Sequence, residues 1–275
     1  MVDHITRTIQ SSFRDAQVFP FGSFQTKLYL PTGFVHCFSI PFRSPNLKFT
    51  SDIDLVVLSN SMECTDKTTV LQILARTFKR SGITSSVTII AKARVPIIKF
   101  ISTHGRFKVD ISINQDSGLV SGKIINGFLN DMIPSTGGKQ SKALRSLIMI
   151  TKAFLADRNL NEVYTGGLGS YSVVCLAVSF LQMHPKIRRG EIDPEENLGV
   201  LLIEFLELYG KHFNYDEVGI SLMDGGTYFS KYTRGWHGDF RKNILCIEDP
   251  ADSCESTFSY KGGPIYDNFN SKRYL

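Results

Sequence analysis

Asp52 and Asp54 stand two residues apart in the run SDIDLVVL, and a third acid, Asp110, sits in FKVDISIN. A strand turns alternate side chains to one face, so both carboxylates of the pair point the same way and Ile53 turns inward. Two acids that close repel each other unless a cation lies between them. Alone, such a pair reads first as a strand end in a solvated turn. Asp110 changes the balance, because Phe107, Val109, Ile111 and Ile113 alternate with Lys108, Asp110, Ser112 and Asn114. That pattern places Asp110 on the polar face of a second strand. Three carboxylates on adjacent strands would form a hard, oxygen-only site suited to Mg²⁺ or Mn²⁺. Upstream, Gly22-Ser23 follows a short strand at Val18–Phe21 and precedes the run FQTKLYL, which reads as a helix. A turn of this kind offers backbone N–H groups and a hydroxyl to phosphate oxygens. A Gly-Ser pair by itself is simply a turn; placed before the two acids, it reads as the phosphate clamp of a two-metal nucleotidyl transfer site.

The elements needed to position these residues are legible in outline. Residues 1–12 read as an amphipathic helix with Ile5 and Ile9 four apart. Residues 68–80 read as a helix with Val70, Leu71, Leu74 and Phe78 on one face. Strands are expected at 52–58, 86–91, 95–101 and 107–114. Beyond residue 122 the strand signal fades, and helical patterns run at 123–130, 144–158, 170–183 and 197–209. The expected architecture is α+β, a sheet flanked by helices in residues 1–130 and a largely helical second domain in 131–275. The polar stretch IPSTGGKQSK lies at the junction.

The 31 Lys and Arg against 26 Asp and Glu give a net charge of +5 in 275 residues. This modest excess permits a polyanionic partner without requiring one. The five cysteines are odd in number with no C-x-x-C pair, which argues against a disulfide framework or a zinc site and for a reducing compartment. The N-terminus lacks the apolar run of a signal peptide. The apolar stretch 171–183 is too short to span a bilayer. A soluble, intracellular protein with no membrane association is expected.

Gly22-Ser23, Asp52-Ile53-Asp54 and Asp110 resemble the site of the DNA polymerase β-like nucleotidyltransferases. The stretches PFGSFQTKLYLP, SDIDLVV, VDISIN, LNEVYTGGLGSYS, AVSFLQMHP, ELYGKHFNY, DGGTYFSK and IEDPAD together resemble the fungal noncanonical poly(A) polymerases of the nuclear TRAMP complex. The resemblance implies a nucleotidyltransferase palm with a mixed sheet, followed by a helical, PAP-associated central domain. It implies ATP as substrate, an RNA 3′ end as acceptor, and two Mg²⁺ or Mn²⁺ ions held by Asp52, Asp54 and Asp110. It places Gly22 and Ser23 on the phosphates, Lys152 and Ser170 on the triphosphate, and Tyr171 under the base. Elementary physics agrees, since a helix N-terminus favours anions and an aromatic face accepts any base. Ser170 as a plain N-cap, Tyr171 as a core residue and Lys152 as a snorkelling surface side chain remain open readings. Lys186, Arg188 and Arg189 read first as a solvated basic loop. Implied partners are a zinc-knuckle RNA-binding protein and an exosome-linked helicase, in the nucleus or nucleolus. A terminal uridylyltransferase with the same palm, and an inactive remnant that binds only partners or RNA, are the rival readings.

The chain departs from the family pattern in three places. Residues 24–51, 28 in number, separate Ser23 from Asp52. Removing 33–50 brings LYLPT directly to SDIDLVV, the spacing the family shows. Residues 133–142 read as a second extra segment, and after IEDPAD the run SCESTFSYKGG replaces the expected base-selecting loop, leaving the second domain incomplete. Retained introns or gene-model errors would produce all three. The first is expected to draw the clamp at Ser23 away from the acids.

Overall fold

The computed structural model describes residues 1–30, 53–91, 95–131, 140–161, 163, 166–236 and 244–251, and the backbone of 264–267. Asp52, the segment 33–50 and most of 133–142 lie outside the described residues, as does the run after Ala251 apart from 264–267. The chain divides into two compact units, Met1–Lys123 and Ile124–Leu275.

The first unit runs α1 (Val2–Gln10), β1 (Gln17–Phe21), α2 (Gly22–Thr26), β2 (Ile53–Leu58), α3 (Asn60–Glu63), α4 (Lys67–Arg80), β3 (Val87–Ile90), β4 (Ile97–Ile101) and β5 (Lys108–Ile113). It ends within α5 (Ser117–Asp131), which crosses the boundary. The strands form one mixed sheet in the order β1-β2-β5-β4-β3. Strands β2 and β5 are parallel and the other pairs antiparallel. One face is the core. Ile5 and Ile9 of α1 and Val70, Leu71, Leu74 and Phe78 of α4 bury against Ile53, Leu55, Val57, Ile98, Phe100, Val109 and Ile111. Phe78 is fully buried, its ring centroid 5.1 Å from that of Phe100. Helix α4 starts where Asp66 caps it, the Thr69 N–H donating to Oδ2 at 3.0 Å, and ends with Lys79 and Arg80 in the last turn, where cations favour the dipole. Because every core residue of β2, β4 and β5 alternates with one facing away, Asp54, Lys99, Lys108 and Asp110 share the opposite face.

Two details differ from the sequence reading. Phe107 is exposed rather than core, since Gly105 and Arg106 before it take φ of +79° and +54° and make a turn. Helix α5 starts at Ser117, six residues before the pattern at 123–130. Gly118 and Gly122 hid those turns, being poor helix formers. Their use is spatial, because a Cβ on Gly118 would lie 2.5 Å from the Phe21 ring and one on Gly122 2.4 Å from Gln25 Oε1. Only glycine lets the helix approach the β1–α2 corner this closely.

The second unit contains α6 (Lys142–Asp157), α7 (Ser170–Met183), α8 (Pro185–Arg188) and α9 (Leu198–Glu207), which runs into a π-helical turn at Leu208–His212. Helix α7 is buried continuously from Ser172 to Leu181, as a helix apolar on all sides must be. An edge-to-face series links Phe180 to Phe205 at 5.5 Å and Phe205 to Tyr209 at 5.1 Å. Burial pushes the Tyr209 and Tyr215 hydroxyls well above the usual phenol range, so both stay protonated donors. Tyr209 donates to the Leu176 carbonyl at 3.2 Å and Tyr215 to the Tyr209 carbonyl at 2.6 Å. His184 accepts from the Ile187 N–H at Nδ1 (3.3 Å), which caps α8 and leaves its Nε2–H to Glu204 at 2.7 Å.

This unit also holds a four-stranded sheet that sequence reading did not anticipate: β6 (Val218–Ser221), β7 (Thr227–Ser230), β8 (Leu245–Glu248) and β9 (Pro264–Asp267), in the order β7-β6-β8-β9. Four-residue strands such as VGIS and LCIE are too short for a period-two count. Lys231, only 1% exposed, secures this sheet, its Nζ donating to the carbonyls of Tyr215 at 2.5 Å and Ile244 at 2.6 Å. No helix among the described residues is long and apolar enough to cross a membrane.

Phe78→Ala should cost about 3–5 kcal/mol, the range for deleting a fully buried phenylalanine. Urea denaturation of the two proteins checks this.

Candidate active site

In the parallel pairing of β2 with β5, Asp54 lies directly opposite Asp110. Paired strands run about 4.8 Å apart, so two half-buried carboxylates face the same way at close range. The row continues on both sides, with Phe21 of β1 across from Asp54, Lys99 of β4 across from Asp110, and Thr88 of β3 across from Lys99. The Lys99 ammonium forms an ion pair with Asp110 Oδ2, the side chains being 43% and 21% exposed. Solvent screening at that exposure makes the pair a modest contributor to stability. Its consequence is local: it offsets the repulsion between the two acids. Sequence reasoning missed Lys99. The available signal was one cation interrupting the apolar strand PIIKFI.

Gly22 has a φ of +63°, and a Cβ there would come within 2.6 Å of Asp54 Oδ2. The cause is register, since Phe21 pairs with Asp54 and the next residue must pass the carboxylate. The expectation that segment 33–50 draws the clamp away from the acids is therefore corrected for Gly22, because β1–β2 pairing holds it in place. Ser23 is the second residue of α2 and half-buried. That helix is shorter than FQTKLYL suggests. Lys27 turns left-handed at φ +56°, and the Leu28 N–H donates to the Ser23 carbonyl at 3.1 Å.

These residues fit a hard divalent cation. The available donors are carboxylate oxygens on one row, and a Cβ on Gly22 would fill the space beside Asp54. Among the described residues no group of three or more His, Cys, Asp or Glu stands together. Asp52, the third expected ligand, lies outside them.

In the second unit, Lys152 is half-buried on α6 between buried Thr151 and Ala153. Ser170 is the first residue of α7 and exposed. Gly169 occupies the N-cap position, so the reading of Ser170 as a plain N-cap is excluded. Tyr171 is half-buried rather than core. Its hydroxyl donates to Asp249 Oδ1 at 2.9 Å, and the Ala251 N–H donates to the same oxygen at 2.9 Å. The acid of IEDPAD thus tethers the tyrosine, a role the motif alone did not reveal. The basic cluster is exposed, but Lys186 and Arg188 belong to α8 rather than to a loop, and only Arg189 lies in the turn beyond it, where it pairs with Glu191.

A mixed sheet bearing in-register carboxylates beside a Gly-Ser turn defines a nucleotidyltransferase polymerase fold, and comparison with known proteins agrees. Residues 46–130 match the family model described as the central palm domain of mitochondrial-like poly(A) RNA polymerase, and residues 197–254 match Cid1 family poly A polymerase. The solved polymerase core of TRAMP, an RNA surveillance complex, is similar with a TM-score of 0.76 and 37% identity, covering 98% of this chain and 74% of that one. Among curated proteins, Poly(A) RNA polymerase CID14 of Cryptococcus neoformans is 50% identical over 92% of this chain and 29% of its own length. Poly(A) RNA polymerase protein 1 of Saccharomyces cerevisiae is 41% identical over 91% of this chain and 35% of its own. The chain belongs to the Cid1/Trf4-like family of poly(A) RNA polymerases. It spans about a third of the length of these curated relatives.

Gly22→Ala should strain the backbone by about 1–2 kcal/mol and push a methyl group into the Asp54 carboxylate. Nucleotide incorporation is expected to fall far more than thermal stability. Equal incorporation by the two proteins would show that this close approach is dispensable.

Proposed function

We propose that this chain carries the polymerase core of a template-independent adenylyltransferase, which adds AMP from ATP to RNA 3′ ends. The observation that carries the reading is the in-register pair Asp54 and Asp110 with Gly22 against it. In this reading residues 1–130 are the palm and 131–275 the central, PAP-associated domain.

Asp54 and Asp110, with Asp52, would hold two Mg²⁺ or Mn²⁺ ions. Ions bound there would activate the 3′-hydroxyl as nucleophile and neutralise charge on the departing pyrophosphate. The residues themselves supply position. The backbone of Gly22 and the hydroxyl of Ser23 would bind phosphate oxygens. Ser170, at the N-terminus of a 14-residue helix, would face the triphosphate where the helix dipole favours an anion, and Lys152 would add a positive charge. Tyr171 would stack on the base, its ring held by the hydrogen bond to Asp249 so that stacking costs little ordering. A stack is tolerant of base identity, so it sets affinity and leaves adenine choice to other contacts.

The similarity to fungal poly(A) polymerases and to the TRAMP core supports a place in nuclear RNA surveillance. A zinc-knuckle RNA-binding protein and an exosome-linked helicase belong to the same proposal. The test is a tailing assay on a labelled RNA with each of the four nucleotides and Mn²⁺. Extension with ATP above the other three is expected. Preferential extension with UTP would replace this reading by a uridylyltransferase, and no extension with any nucleotide would leave an inactive binding module.

A further inference from the structure

The carboxylate row does not end at Asp110. Across the open face of β3, β4 and β5 runs a groove of about 500 Å³ that includes Asp110 among its lining residues. Among the described residues its lining holds three cations, Lys99, Arg106 and Lys108, and one acid, Asp110. Hydroxyls of Ser86 and Thr88 line it as well, both exposed. Among the described residues the groove presents no aromatic platform, because Phe100, the one aromatic in its lining, is 5% exposed and belongs to the core on the other face. Cations and hydroxyls without a stacking surface suit a sugar–phosphate backbone and not a base.

Spacing gives the groove a direction. Lys108 precedes Asp110 by two residues on β5 and shares its face. Strand rise puts it roughly 7 Å from the acid, about one nucleotide step along an extended strand. Arg106, exposed at the turn before β5, lines the same groove. An acceptor whose terminal hydroxyl sits at the carboxylates must lead its upstream phosphates away from them. The groove lies on the β3 side of Asp110, whereas Gly22 follows β1 at the opposite edge of the sheet.

We propose that this groove seats the last phosphodiesters of the RNA acceptor strand, with Lys108 and Arg106 contacting successive phosphates and Ser86 and Thr88 bonding the backbone irrespective of sequence. The proposal rests on the adenylyltransferase reading above and adds to it the path of the strand.

The experiment measures binding of a fluorescein-labelled oligoadenylate by anisotropy over a salt series, with the full chain and its Arg106→Ala/Lys108→Ala variant. ATP affinity and thermal melting are measured in parallel. The variant should bind RNA several-fold more weakly, and its log–log salt slope should be shallower by about 1.4, since each phosphate contact to a single strand contributes about 0.7. ATP affinity and melting should not change. Lys108→Glu alone should weaken RNA binding further by repulsion. Unchanged RNA affinity and slope in the double variant, beside a parent that binds and extends RNA, would overturn the strand path and leave the polymerase reading intact. A parallel loss of ATP affinity would overturn it too, assigning the groove to the triphosphate. Failure of the parent chain to bind oligoadenylate would defeat both.

Discussion

Two negative charges held face to face by strand register are the constraint on which the rest of this structure depends. Asp54 and Asp110 come from segments more than fifty residues apart, and the parallel β2–β5 pairing sets them opposite each other. Left alone, such a pair would repel and favour a slipped register. Slippage is prevented by the other face. Moving β2 by one residue would take Ile53, Leu55 and Val57 out of the core and turn the Asp54 carboxylate into it. The hydrophobic face fixes the register, and the register fixes the charges. Lys99, one strand further, offsets part of their repulsion through its ion pair with Asp110.

The same logic explains Gly22. Antiparallel β1 must pair with β2 to cover its edge, and Phe21 then falls opposite Asp54. The chain has to turn beside the carboxylate with no room for a side chain. A positive φ and a missing Cβ are two demands met by one residue. The length of chain between Thr26 and Ile53 is immaterial to this contact, because closure of a longer loop costs little once the strands pair. Helix α5 closes the corner by the same means, with Gly118 and Gly122 giving it access to Phe21 and Gln25.

Much of this was legible in the sequence. Alternation in FKVDISIN and the apolar run after Asp54 identify both strands, their faces and the acids, since period two is a local property. Legibility stopped where partners in space decide. Lys99 looked like one cation in an apolar strand, and only the β4–β5 pairing shows that it faces Asp110. Tyr171 was found from GGLGSYS, whereas its acceptor Asp249 lies 78 residues away. The second sheet was invisible because its strands are four residues long and are tied to the chain around them by buried Lys231, which no local pattern reveals. The early turns of α5 were hidden by the glycines that make its packing work.

In the proposed reading the facing carboxylates bind divalent cations. Titrating the chain with Mn²⁺ and following the free-ion signal by electron paramagnetic resonance tests it without recourse to turnover. Asp54→Asn and Asp110→Asn keep side-chain size and remove one charge each. Saturable Mn²⁺ uptake is expected of the parent chain, with its loss or severe weakening in each variant while both remain folded. Undiminished uptake by the folded Asp110→Asn protein would contradict it.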